Sequence, residues 1–364
     1  MSIWRTVAAA ALAAVVCGSA TLPPHAGLVA HEWGTFTSVA DREGNPVEWQ
    51  ANSGPVPLPC FVHNYQEISK LNAPPTTVRM ETPVIYFYAP SATTVSADVT
   101  FRRGHMTEWY PAAQYRGRQL VWNSVEVLPG EDLAFPHGKS DNHYYAARRT
   151  DGAPLRAGKE QEKLLFYRGV GDLSVPVRPR FVGSSIEIQT AGQAAVPAVI
   201  LFENRGGKAG YRVVGEVKGP VLAAPPELTG DVADLRRELT ASLVAAGLYP
   251  KEAEAMLETW RDSWFEEGMR VIYIVPREIV DAELPLTITP QPADTARVFV
   301  GRVEMLSPAV EQEITDGVMH RDRSIYGKYA RFLEPFVTMI RPNNPAVAAA
   351  FRGDLSIGAT PCAR

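Results

Sequence analysis

Residues 83–101, "PVIYFYAPSATTVSADVTF", decide the class of fold. The first part, "PVIYFYAP", is apolar at every position, so neither face of a strand there suits water. That is the pattern of a central strand covered on both sides. The second part alternates. Val95, Ala97, Val99 and Phe101 share one face, while Ser96, Asp98 and Thr100 share the other. Period two with one polar face predicts a half-exposed strand. The short break "APSA" between them predicts a hairpin.

Working outward, short segments of the same kind recur between Gly, Pro, Asn and Asp punctuation. They are "QLVWNSVEVL", "KLLFYRGV", "SSIEIQT", "AVILFENR" and "GYRVVGEVKG". Such spacing predicts a β-sandwich or barrel-like body over residues 21–220. The polar, Gly-containing stretch from Pro129 to Gly158 reads as a long loop, of the kind that carries function.

After "LAAPPELTG" (222–230) the period changes. Val232, Leu235, Leu239 and Leu243 form a helical stripe that Gly247 ends, and Pro250 opens a second stripe through Leu257, Trp260 and Trp264. These predict a helical hairpin. "MRVIYIVP" and "ARVFVGRVEML" read as strands. Ser307-Pro308 reads as a cap and first turn, and "SIYGKYARFLEPFVTMI" as a helix broken or kinked at Pro335. The fold class is therefore β-rich α+β: a sandwich or barrel-like body, then a helical hairpin and a smaller mixed α/β portion over residues 221–364. The pattern leaves open whether the late strands complete the first sheet.

Residues 1–20 read as a signal peptide: Arg5, an apolar run from Val7 to Val16, then Gly18 and Ala20 before a cleavage point. The expected location is periplasmic or secreted. Lipoprotein anchoring through Cys17 competes, but Val16 stands where a small residue is expected. No later stretch reaches eighteen apolar residues, so no transmembrane segment is expected in the mature chain. Cys60 and Cys362 remain, an even count that permits a disulfide. Closing so long a loop would contribute on the order of 4–5 kcal/mol in the chain-entropy model. Two unpaired thiols are the alternative.

The chain has 364 residues, 46% hydrophobic and 21% charged, which is an ordinary globular composition. Its formal net charge of −4, with no basic face, argues against a nucleic-acid partner. Nucleophile-elbow, H-E-x-x-H, P-loop, dinucleotide, EF-hand and paired CxxC signatures are absent. The sequence leaves the cofactor unknown, since metal ligands can come from distant strands without a motif.

"HEWGTFTS" (31–38) begins like a metalloprotease motif but carries no second histidine. As a strand it places His31, Trp33, Thr35 and Thr37 on one face, and Glu32, Gly34, Phe36 and Ser38 on the other. Gly34 is a place for a bulge. Glu32, Glu81 and Glu108 each stand in an aromatic setting, and a carboxylate pair is what glycoside hydrolysis requires. The first reading is a hydrolase of a cell-surface or environmental polymer. Glu32 and Glu108 are its acid/base candidates, with Glu81 in reserve, and His31, Trp33, Arg79 and Trp109 line the site. The structural reading of Glu81 is an ion pair with Arg79 two residues away. A second reading is a non-catalytic carbohydrate- or protein-binding envelope protein, whose partner is a polysaccharide or another envelope component. A third is a metal-dependent enzyme using His31, His105 and His143 with a carboxylate.

"HEWGTFTSVA", "RMETPVIYFY", "EWYP", "LLFYRGVG" and "VGRVE", in this order, resemble an uncharacterised family of exported bacterial proteins. The resemblance implies bacterial export and nothing about mechanism.

Overall fold

The computed structural model describes residues 27–51, 58–65, 75–138, 142–230 and 232–351. The leader, Cys17 and Cys362 lie outside the described residues. Cys60 is disulfide-bonded, but the pairing with Cys362 expected from the sequence falls outside them.

The strands, in chain order, are β1 (Val29–Ala40), β2 (His63–Asn64), β3 (Val78–Tyr88), β4 (Thr93–Thr100), β5 (Gly104–Tyr110), β6 (Gln114–Tyr115), β7 (Gln119–Val127), β8 (Leu155–Ala157) and β9 (Glu160–Glu162). Then come β10 (Leu165–Gly171), β11 (Val177–Val182), β12 (Ser185–Thr190), β13 (Val196–Arg205), β14 (Lys208–Val217), β15 (Val221–Ala223), β16 (Gly268–Ile274), β17 (Leu286–Thr289) and β18 (Asp294–Met305). They form three sheets. The largest runs β14-β13-β16-β18-β1-β3-β10-β5-β2. A second runs β17-β4-β7-β8-β9 with β6 attached to β7, and a third runs β11-β12-β15.

The large sheet is the middle layer. One face packs on the two smaller sheets through Phe36, Ile85, Phe87, Val99, Trp122 and Ile188 among others. The other face is covered by helices α1 (Val232–Ala245) and α2 (Pro250–Thr259) and by a short 3₁₀ helix, His143–Arg148. The fold is thus β-rich α+β, with a sandwich-like core on one side of a sheet and a helical layer on the other. Strands β1, β3 and β16 are buried at every position, which is why their sequences show no alternation.

The late strands complete the first sheet. β18 lies parallel to β1, with Val29 opposite Asp294 and Ala40 opposite Met305, and β16 pairs on its far side. The expected hairpin at "APSA" does not form. β3 pairs with β1 and β10, whereas β4 pairs with β7 and β17 in the second sheet. The physical reason lies in the two patterns: a strand that is apolar on both faces needs covering layers, and an alternating strand suits an outer layer. The chain changes layer at the break instead of folding back.

Helices α1 and α2 form the expected hairpin, turning at Gly247 with φ +116. Leu235, Leu239 and Leu243 face the sheet. The chain continues through α3 (Arg261–Trp264), α4 (Arg277–Glu283) and α5 (Pro308–His320), where the Ser307 hydroxyl accepts from the Val310 amide at 3.3 Å. Then follow α6 (Ser324–Tyr329), α7 (Leu333–Ile340) and α8 (Pro345–Ala350). The break expected at Pro335 occurs earlier, at Ala330, whose φ is +40. Pro335 sits in the first turn of α7, where its missing N–H costs no helical bond.

Candidate functional site

Strand β1 presents two faces with separate surroundings, as its period requires. On the helix side, His31 Nδ1 meets Glu252 Oε2 of α2 at 2.8 Å. The same carboxylate accepts from the Tyr88 hydroxyl at 2.8 Å and from the Tyr249 amide at 2.8 Å. Glu252 is fully buried and His31 nearly so, and the His31 ring packs on Tyr249 with centroids 4.4 Å apart. Trp33 is fully buried in the helix-side core. These are closed contacts that tie the hairpin to the sheet, not the lining of a groove.

On the opposite face, Glu32 is fully buried. It takes a hydrogen bond from Arg297 Nε at 2.5 Å and one from the Tyr167 hydroxyl. Arg297 also reaches Asp281 and the Leu284 carbonyl, each at 2.7 Å. The carboxylate is fully engaged.

A cavity of about 480 Å³ lies on the helix side, over the middle of β3 and β10. Gly34 explains its position. A methyl group there would meet Phe299 at 2.7 Å and Pro83 at 3.0 Å, so β3 passes unusually close. Opposite Gly34, β3 carries one residue more than β1, because Trp33 pairs with Val84 but Thr35 with Glu81. The irregularity is therefore at Gly34 in register, while the extra residue belongs to β3. Thr82 takes φ +46 there, a strained conformation for a β-branched residue. The bulge aims Thr82 at the cavity beside Glu81 and Arg79. Arg168 enters from β10. Asn142, His143 and Tyr144 come from the long loop, Trp260, Asp262, Ser263 and Glu266 from the end of the helical hairpin, and Ala330 and Arg331 from the broken helix.

Charge is distributed unevenly among the three cavity arginines. Arg331 binds Glu81 and stands 3.7 Å from Glu266. Arg79 Nε lies 3.4 Å from Glu81, and its Nη1 donates to the Ala51 carbonyl at 3.0 Å. Arg168 differs. Its Nε and Nη2 both donate to Thr82 Oγ1, at 3.3 and 3.2 Å, and its Nη1 has no hydrogen-bond partner among the described residues. Nor does any described carboxylate lie within ion-pair distance of it, although it is only 8% exposed. Burial and then the like charge of Arg79 push its pKa down to about 10. Glu81 shows the converse. Burial alone would raise it, but Arg331 and Arg79 hold its carboxyl below the usual range. Its Oε2 is without a hydrogen-bond partner among the described residues, as is the indole Nε1 of Trp260.

A salt network forms the cavity's support. Arg302 joins Glu304 at 2.5 Å and Glu266 at 2.6 Å, and Arg270 joins Glu304 at 2.8 Å. Arg302 Nη1 also donates to the Ser263 carbonyl at 2.6 Å, while Arg331 Nη2 donates to the Ser263 hydroxyl at 3.0 Å. His143 meets Asp262 at 2.8 Å at the exposed rim.

Of the residues singled out from sequence, the cavity gathers Glu81, Arg79 and His143. Glu108 pairs in register with Arg168 and acts electrostatically on Arg79 and Arg168, but does not line the cavity. Trp109 turns to the opposite face, where it stacks on Tyr115 with centroids 4.9 Å apart and planes at 7°. Glu32 and Glu108 consequently occupy different faces of the sheet and share no cleft. His31 and His143 have separate carboxylate partners, and among the described residues no group of three His, Cys, Asp or Glu could hold a metal ion.

Sequence reading missed Arg168, Trp260 and Arg331. Arg168 left a trace: it is the lone charge inside the apolar run "LLFYRGVG". Arg331 left none, because its position depends on the helix breaking at Ala330.

Against known proteins, no family model matches the chain and no curated protein matches it. Among solved structures, it is similar to the yeast delta-COP-I mu-homology domain, with a TM-score of 0.34 and 8% identity over 79% of this chain and 100% of that one. The same yeast domain complexed with a Dsl1 WxWxV peptide gives a TM-score of 0.32 and 8% identity over 78% of this chain and 100% of that one.

Proposed function

We propose that the cavity over β3 and β10 is the ligand site of an exported bacterial protein, and that it binds a saccharide or a similar small constituent of the cell envelope. One observation carries this reading. Three buried polar atoms without a protein partner among the described residues, Arg168 Nη1, Glu81 Oε2 and Trp260 Nε1, belong to residues lining one cavity. Buried polar groups are ordinarily satisfied, so a concentration of unsatisfied ones in the residues around a cleft favours a polar ligand. The volume falls within the usual range for small-molecule sites. Trp260 and Tyr144 provide ring surface, and bacterial export rests on the leader and on the motif resemblance.

Titrating the mature protein with envelope-derived mono- and oligosaccharides tests the reading, with thermal unfolding and tryptophan fluorescence as readouts. The expected result is stabilisation by at least one of them, lost in Leu58→Trp, which fills the cavity. Stabilisation that survives this substitution would place binding elsewhere.

Hydrolysis is the second reading, favoured by a single feature. Glu81 and Glu266 both line the cavity and both lie beside Arg331. Glu81, held ionised, suits the nucleophile or base, with Glu266 as the second carboxylate of the pair. Glu81→Gln and Glu266→Gln would each abolish release of reducing sugar, while Glu32→Gln would not.

A further inference from the structure

We propose that the ligand carries an oxyanion, a carboxylate or a phosphate, and that Arg168 is the residue that selects for it; this rests on the cavity being the ligand site. A guanidinium offers two forks for bidentate recognition of an oxyanion. In Arg168 the fork of Nε and Nη2 is directed at Thr82 Oγ1. Nη1, on the remaining fork, has no hydrogen-bond partner among the described residues. Thr82 is itself set by the β3 bulge, so the backbone irregularity orients the arginine.

The charge distribution gives the same answer. Arg79 and Arg331 both have Glu81 as counterion. Arg168 has no carboxylate at ion-pair distance among the described residues, although it is more than nine-tenths buried. An uncompensated buried charge is costly and is ordinarily paired. An anionic ligand would supply the counterion at contact distance that Arg168 lacks among the described residues. A neutral sugar would leave Arg168 with only the more distant fields of Glu108 and Glu81, so it would bind more weakly. Of the other unpartnered groups on the lining, the Trp260 indole is a donor suited to acceptor oxygens, while Glu81 Oε2 is an acceptor that a hydroxyl of the same ligand would meet.

The test uses the full mature chain and five probes: glucuronate, galacturonate, glucose, glucose 6-phosphate and inorganic phosphate. Affinity is read by calorimetry for the wild type and for Arg168→Gln and Arg168→Lys. The expected result is that at least one acidic probe binds about tenfold or more tighter than glucose, as loss of a charged hydrogen bond implies. Arg168→Gln should erase that preference, and Arg168→Lys should keep part of it. Relative affinities of the uronates and the phosphates then identify the oxyanion. Glucose binding as tightly as the acids, or a preference that survives Arg168→Gln, would overturn the assignment of an anion while leaving the cavity as the site. Failure of every probe to bind would overturn both.

Discussion

Arg168 is bonded to Thr82 where a buried arginine would ordinarily meet a carboxylate: two of its nitrogens share one hydroxyl, at 3.3 and 3.2 Å. A group held this way contributes little to stability. Burial opposes its charge, the neighbouring Arg79 repels it, and no described carboxylate lies at ion-pair distance. Arg168→Met should therefore stabilise the free protein by about 1 kcal/mol, the trade expected where a residue serves a site rather than the fold. Urea unfolding checks this. A loss of more than about 1 kcal/mol would make Arg168 a structural residue.

Glu81 is predicted to behave oppositely. It is counterion to both Arg79 and Arg331, so Glu81→Gln leaves two largely buried guanidinium groups without it. A cost of about 3–5 kcal/mol is expected in urea unfolding. The pH dependence has a definite sign. Because the folded pKa is depressed, the contribution is present above the unfolded value near about 4.3 and is lost as pH falls through the lower folded value. Wild type should thus show an acid-side loss of stability below about pH 4.3 that the variant lacks in part. Identical acid profiles would count against the ion pairs.

Glu252 joins three groups from two layers: His31, the Tyr88 hydroxyl and the Tyr249 amide. Glu252→Ala would strip all three at once and leave a gap beneath α2. A loss of about 3 kcal/mol or more is expected, at about 1–3 kcal/mol per buried group left unsatisfied. Hydrogen exchange should show α2 opening before the sheet does. Uniform protection across α2 and β1 would refute that role.

Gly34 admits no side chain. A methyl group there would come within 2.7 Å of Phe299 and 3.1 Å of the Pro83 backbone. Gly34→Ala should cost about 1–3 kcal/mol by overpacking, and ligand binding should weaken as well, because Pro83 belongs to the bulge that sets Thr82. Unchanged thermal stability would show that the strands can move apart.

The sequence is most legible where periodicity acts alone. The unbroken apolar run in β3 and the alternation in β4 reveal which strand is central and which is peripheral. Neither pattern tells that consecutive strands join different sheets, since that choice depends on partners far along the chain. The two faces of "HEWGTFTS" also follow from period two, and the separation of His31 from Glu32 holds. What each face touches does not follow, because Glu252 and Arg297 are 221 and 265 residues away from their partners. The cavity was partly visible through Glu81, Arg79 and His143. Arg168 was hidden because its character comes from an ion pair it does not make, and a missing contact leaves no mark on composition or spacing.

The parallel seam between β1 and β18 has a kinetic meaning. Among the described residues β1 is the first strand to be synthesised and β18 the last, yet they are neighbours at the centre of the large sheet. Closing so long a loop is entropically slow. Until residues 294–305 are available, β1 keeps an open, apolar edge of the kind that recruits other strands into aggregates. Chains cut short of Met305 would lose the middle of the sheet, not merely its last strand. The large sheet therefore closes at a seam whose second half arrives late, and both of its wings depend on that seam.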